Sequence, residues 1–274
     1  MSVDMEGIAG VTTVRQVTRG SDDYPNARQL MIGEANAAVA GAFDGGATRV
    51  VVSDSHSDMG NLIPDRLDAR AELIIGTPKL PWSMMTGIAP AFGCALFVGY
   101  HAGGGVEAAV MDHTYTGLFY DVRLNGEPWN ETHVNAALAG TYGVPVAMVT
   151  GDDRCCEQAT KRLPWVRTVV VKQAIARNVA SNIAPEVARE RIRSAATDAV
   201  RSVGAMEVFR PDPPFTLEVD VIDTAMTDVA SLAPGTTRSG ARTLRFEHDD
   251  FREVMRAFLT WMWLVRSLAP PKVD

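Results

Sequence analysis

Cysteine is scarce in this chain, with three residues among 274: Cys94, Cys155 and Cys156. Their spacing makes neither a disulfide framework nor a thiolate zinc site, so burial of apolar surface must hold the fold. The adjacent pair is expected as small buried side chains on a helix rather than as a redox centre. Long apolar runs are missing as well. The most apolar one, FLTWMWLV at 258–265, falls far short of the roughly 20 residues that a membrane-spanning helix needs, so no membrane partner is expected. No N-terminal stretch joins a basic region to an apolar core, which makes a signal peptide unexpected and a reducing cytoplasm the expected location. Basic runs are absent too. The formal charge is −7, and short arginine groups such as ARERIRS at 188–194 fall on a predicted helix as a solvated face. No basic face is large enough to neutralise a nucleic-acid backbone, which excludes nucleic acid as a partner. Internal repeats and low-complexity segments are also lacking.

What is present is an ordinary globular balance, 46% hydrophobic and 22% charged residues, over a length that can bury a large core. Apolar β-branched runs read as buried strands at 48–56 (TRVVVSDSH), 94–101 (CALFVGYH), 144–153 (VPVAMVTGDD) and 166–173 (VRTVVVKQ). Helical periodicity lies near 27–43, 130–142, 153–162 and 185–203. Such alternation predicts an α/β fold, a mainly parallel sheet flanked by helices, with a smaller α+β portion beside it. In that portion FYDVRLNGEPW at 119–129 carries an Asn-Gly turn and reads as a β-hairpin. Strands are expected near 215–221 and 243–247, and a helix over about 249–266 aligns Phe251, Val254, Met255, Phe258, Leu259 and Met262 on one side. The chain reads as a single catalytic unit over 1–274; two packed α/β subdomains are the alternative, with no boundary marked.

In open α/β sheets ligands bind beyond the carboxyl ends of the strands, which makes strand ends the place to look for chemistry. The opening MSVDMEG puts Asp4 and Glu6 at the end of a first strand, two residues apart and so on one face. Two carboxylates held that close repel unless a cation lies between them. His56 ends the next strand in SDSH, His101 another in GYHAGGG, His113 follows in MDHTY, and Glu131 starts a helix in WNETHVNA. Each has an ordinary reading by itself, as a loop histidine or a helix N-terminal acid, and Asp54 reads as a turn residue. Together they form a mixed histidine and carboxylate set suited to zinc or manganese. With Asp4 bridging and a hydroxide between the metals, Asp4, Glu6, His56, His101 and Glu131 supply enough bonds for two four-coordinate ions. Such a site activates water and polarises an amide or phosphoryl oxygen. His113 is then free to move a proton near neutral pH.

The segments SVDMEG, SDSH, GYHA, GDDR and VKQAIAR, in this order between residue 2 and about 265, resemble the DppA-type zinc D-aminopeptidases, to which the SxDxEG opening is specific. The resemblance implies a binuclear zinc peptidase, with two ions per subunit, that releases N-terminal D-amino acids, typically D-Ala, from short peptides. It implies Asp4 (bridging), Glu6, His56, His101 and Glu131 as zinc ligands, and a homodecamer of two stacked pentamers. His113 matches the histidine treated in the family as the nucleophile; since a metal-activated hydroxide already serves that purpose, a role as general acid/base or transition-state stabiliser suits it better. The chain departs from the family pattern at His133, where small residues are usual, and in the glycine run 103–105, which can form an anion nest. Helical residues two apart diverge, so His133 is expected to shape a pocket or a subunit contact rather than to bind metal. Asn135, one turn after Glu131, is a candidate substrate contact. So are Lys172 and Arg177 at a strand end, which read equally well as structural ion pairs. These departures leave L-aminoacyl peptides, non-peptide amides and phosphoesters open as substrates, and a non-catalytic ring-forming binding protein as the remaining alternative.

Overall fold

A computed structural model describes residues 1–269. In chain order its elements are β1 (Ser2–Val3), α1 (Val14–Val17), α2 (Tyr24–Asp44), β2 (Val50–Asp54), β3 (Ala71–Ile74), β4 (Ala95–Tyr100), β5 (Phe119–Leu124), β6 (Glu127–Pro128), α3 (Glu131–Thr141), β7 (Val146–Asp152), α4 (Asp153–Arg162), β8 (Arg167–Ala176), β9 (Val179–Asn182), α5 (Pro185–Arg201), β10 (Phe215–Val221), α6 (Thr224–Ala230), β11 (Thr237–Arg238), β12 (Thr243–His248) and α7 (Phe251–Arg266).

Seven strands form one sheet in the order β3-β2-β1-β4-β7-β8-β9, parallel except for the β8–β9 pair. Its central strands β4 and β7 are buried at every position, as a sheet covered on both faces requires. Strand alternation divides their side chains between two cores. Leu96, Val98 and Met148 pack under α2 and α5, whereas Ala95, Phe97 and Tyr100 join a core shared with α3, α4 and α7. Helices α2 and α5 approach closely across small residues; a Cβ on Gly41 would lie 2.2 Å from the Arg193 carbonyl oxygen.

The other five strands make an antiparallel sheet, β11-β12-β10-β5-β6. Its turn between β5 and β6 places Asn125 and Gly126 at φ of 53° and 80°, the two-residue geometry whose twist matches a hairpin. Helix α7 packs on this sheet and on α3. It buries Phe251, Val254, Met255, Phe258, Leu259 and Met262, the side expected from its periodicity, and Trp261 as well.

The start of the chain differs from expectation. Pairing of β1 ends at Val3, and Asp4 to Gly7 form a turn, so Asp4 and Glu6 converge by turning and not by strand alternation. Met5 N donates to Asp4 Oδ1 at 2.8 Å, and Gly7 N to the Gly99 carbonyl at 2.8 Å. The turn presses so tightly on β4 that a Cβ on Gly7 would sit 1.9 Å from Tyr100 O; only glycine fits. Strand order proceeds from β1 through β2 to β3 on one side and through β4 to β7 on the other. The topology therefore switches between β1 and β4, and the crevice at their carboxyl ends is where such sheets take ligands.

Candidate metal centre

Asp4 leaves the end of β1, His101 the end of β4, and His56 follows β2 by one short turn; Glu131 is the first residue of α3 and His113 lies in the β4–β5 loop. They meet as two groups, Asp4 with Glu6 and His56, and His101 with His113 and Glu131, whose donor atoms lie within 4.8 Å of one another in each group. Asp4 joins the groups. Its Oδ1 stands 3.5 Å from His56 Nδ1 and its Oδ2 3.5 Å from His101 Nε2. Glu6 Oε2 lies 2.9 Å from His56 Nδ1, and Glu131 Oε1 lies 3.4 Å from His101 Nε2 and 3.7 Å from His113 Nε2. His113 stacks on His101 with ring centroids 4.1 Å apart. All are buried except His113, which is partly open.

The main chain fixes the outward nitrogen of each ring. His56 Nε2 donates to Val17 O at 2.9 Å, His101 Nδ1 to Ala102 O at 2.9 Å and His113 Nδ1 to Met111 O at 2.8 Å. A carbonyl only accepts, so in the neutral rings His56 Nδ1, His101 Nε2 and His113 Nε2 turn lone pairs inward. His101 Nε2 and Glu131 Oε2 are buried with no hydrogen-bond partner among the described residues. Such orphaned atoms cost about 1–3 kcal/mol each, a cost that a bound cation removes. Buried carboxylates and imidazoles without thiolate fit divalent ions of the zinc or manganese kind.

Cation-free, such a cluster holds protons. Burial, then the charge of Glu6, raises the Asp4 carboxyl well above its ordinary value. Burial disfavours charge on the imidazoles, yet Glu6 and Asp4 together hold His56 well above its usual value. Against the same penalty, Glu131, Asp4 and Glu6 lift His101 to about 10. Burial and the facing His101 lower His113. Cations must displace these protons to bind.

An open cleft of about 600 Å³ reaches the centre, and Ser55, Lys79, Ser83, Tyr115, Trp263 and Arg266 line it beside the donor residues. The four expected substrate contacts, His133, Asn135, Lys172 and Arg177, do not line it. Lys172 is buried behind the first group, and its ammonium donates to the carbonyls of Glu6 (2.5 Å), Ile8 (2.9 Å) and Val11. Those three bonds consume its three hydrogens. Arg177 pairs with Asp112 at the surface. Asn135 sits one layer back, accepting from Tyr115 OH at 2.6 Å and donating to Tyr100 OH at 3.0 Å. His133 caps α3: its N–H donates to Asn130 Oδ1 at 2.9 Å, its Nε2 donates to Gln158 O at 3.1 Å, and burial lowers the ring to about 4. The glycine run is committed too, with Gly103 N on Gln158 Oε1 and Gly105 N on Asp112 Oδ2. Asp54 is the turn residue expected, accepting from Asn61 N at 2.5 Å and Leu62 N at 2.7 Å.

Tyr115 and Lys79 are among the cleft residues that escaped the sequence reading. Tyr115, at φ of 64°, turns its N–H onto Glu131 Oε1 at 2.6 Å while its hydroxyl holds Asn135, so it grips both residues of one helical face. Its signal is proximity, two residues after His113. Lys79 lies in the non-periodic stretch between β3 and β4, and long loops of that kind often carry function.

A family model described as D-aminopeptidase (Peptidase_M55) matches residues 1–260. The chain is similar to a D-aminopeptidase of Bacillus subtilis (strain 168), 37% identical over 263 residues that make up 94% of each chain. Its structure is similar to that of the zinc-dependent D-aminopeptidase DppA from Bacillus subtilis, described as a self-compartmentalizing protease. The TM-score is 0.93 at 34% identity, covering 100% of this chain and 98% of that one. With this match along almost its whole length, the chain belongs to the D-aminopeptidase family.

Proposed function

We propose that the cleft hydrolyses the amide bond after an N-terminal D-amino acid in short peptides, using two zinc ions per subunit. Asp4, Glu6 and His56 hold one ion in this reading, and Asp4, His101 and Glu131 the other. The observation that carries it is the position of Asp4, one oxygen toward each group at 3.5 Å. The zinc dependence of the DppA relative favours zinc over manganese. When bound, paired zinc ions polarise an amide carbonyl and lower the pKa of water.

The proton work falls to His113. Its Nδ1–H is held by Met111 O, which leaves Nε2 as the basic atom of the neutral ring, and burial lowers its pKa. As a water oxygen bonds to the carbonyl carbon, one water proton passes to His113 Nε2. When the C–N bond breaks, that proton goes to the leaving amine nitrogen. With two divalent ions bound, the carboxylates of Asp4, Glu6 and Glu131 would be neutralised, so the α-amino group of a peptide suits this end of the cleft as a neutral nitrogen donor. Tyr115 keeps Glu131 aimed through its N–H.

The self-compartmentalizing character of the DppA relative supports assembly of this chain into a closed homodecamer of two stacked pentamers. Exposed Leu80 and Leu232, at 67% and 80%, are apolar surface available to such contacts. We assign the enzyme to the cytoplasm; no helix of the described residues is long and apolar enough to cross a membrane.

The test is amine release from matched D- and L-alanyl dipeptides and simple non-peptide amides by zinc-loaded protein, beside a chelated control. Chelator-sensitive cleavage confined to the D-alanyl members is expected. Cleavage of L-peptides or non-peptide amides alone would keep the metal chemistry and reassign the substrate.

A further inference from the structure

Lys79 is a buried cation on the cleft wall, 7% exposed. Its Nζ donates to Ser53 Oγ at 2.6 Å and to the Asp54 carbonyl, and among the described residues no carboxylate pairs with it. The nearest candidate, Asp54, spends its carboxylate on Asn61 and Leu62. The contrast with Lys172 is informative. Lys172 is away from the cleft and gives all three hydrogens to carbonyls, whereas Lys79 has two neutral acceptors and a third hydrogen to place. A buried ammonium without a counter-ion is costly, and the open side available to a counter-ion is the cleft. The backbone of Lys79 is pinned as well: its carbonyl accepts from Ser83 N at 2.8 Å and from Thr86 Oγ1 at 3.1 Å. The ammonium therefore meets a ligand in a fixed place, on the carbonyl of the residue two before His56.

We propose that Lys79 binds the terminal carboxylate of the substrate, making short zwitterionic peptides, dipeptides foremost, the preferred substrates. This rests on the D-aminopeptidase reading and adds the second end of the substrate to it. The metal-bearing end of the cleft takes the α-amino nitrogen, Lys79 takes the carboxylate, and the scissile amide lies between them. A peptide amide offers Lys79 no charge.

The experiment compares D-alanyl-D-alanine with its C-terminal amide on zinc-loaded wild type, Lys79→Gln and Lys79→Arg, reading kcat and KM separately and zinc content alongside. Wild type is expected to prefer the acid by about ten- to a hundredfold in kcat/KM, through KM, the range of a charge-assisted hydrogen bond. Lys79→Gln should abolish that preference by losing about ten- to a hundredfold more on the acid than on the amide, and Lys79→Arg should restore part of it. Equal use of acid and amide by wild type would overturn the inference, as would equal loss on both substrates in a Lys79→Gln enzyme that retains zinc. If Lys79→Gln loses its zinc, the wild-type pair decides alone. A wild type that cleaves neither substrate overturns the D-aminopeptidase reading itself, and this inference with it.

Discussion

Around His56 both ring nitrogens have partners, Nδ1 with Glu6 at 2.9 Å and Nε2 with the Val17 carbonyl at 2.9 Å. Around His101 the inward atoms do not: Nε2 stands 3.4 Å from Glu131 and 3.5 Å from Asp4, outside hydrogen-bond geometry, and Glu131 Oε2 is also unpartnered. The same residue types thus make two unlike half-sites. The first shares its proton across a good hydrogen bond, so a cation entering there must break that bond. At the second, a cation satisfies atoms that are otherwise orphaned. Asp4 lies 3.5 Å from a histidine of each half, and in the proposed binuclear site the two halves would act as one centre only through it.

The largest effect is therefore expected from Asp4→Asn, which should cost activity on the order of a thousandfold or more, several kcal/mol of transition-state stabilisation. A variant with near-normal turnover would separate the halves. His113→Ala should keep both ions and lose on the order of 10²–10⁴ in kcat, the range of general acid/base catalysis. Metal analysis sharpens this test, because His113 Nε2 reaches Glu131 almost as closely as His101 does. Loss of one equivalent would make His113 a ligand.

A smaller effect concerns filling order. In metal-stripped protein the His101 half should fill first. Glu6→Gln should then abolish the weaker binding step and Glu131→Gln the tighter one, by about ten- to a hundredfold or more in affinity. The reverse assignment would refute the contrast drawn between the halves. The smallest effect tests the brace behind the first half. Glu34 accepts from Ala9 N at 2.8 Å, and burial raises its carboxyl from 4.5 to about 7. A folded pKa above the unfolded value means that the native state binds the extra proton, so stability declines as pH rises from 4.5 through 7. Glu34→Gln should remove on the order of 1–3 kcal/mol of that decline, read by denaturant unfolding at pH 5 and pH 8. Equal declines would show that Glu34 is not the group responsible.

Much of this was legible in the sequence because it is local. Buried strands announce themselves by composition, as in ALFVGY; α7 by its spacing; the β5–β6 hairpin by Asn125-Gly126. The grouping of Asp4, Glu6, His56, His101, His113 and Glu131 followed from their positions at strand ends, since parallel strands bring those ends together. The elements β3, β9, β11, α1 and α6 were missed, all being short and, apart from α6, mostly without buried faces. That His133, Asn135, Lys172 and Arg177 lie off the cleft lining was hidden for another reason. Whether Lys172 or Lys79 faces the cleft depends on packing between segments distant in sequence, and nothing in the type or spacing of a lysine records that. The turn at Asp4 to Gly7 was likewise hidden, because its form depends on the backbone of β4 lying against Gly7.

The most direct test of the shared centre is an equilibrium zinc titration of metal-stripped wild type against Asp4→Asn, counting ions bound per chain. Two equivalents in wild type, and at most one retained at comparable affinity in the variant, are expected. A single equivalent in wild type, or two undiminished equivalents in the variant, would contradict a binuclear site joined by Asp4.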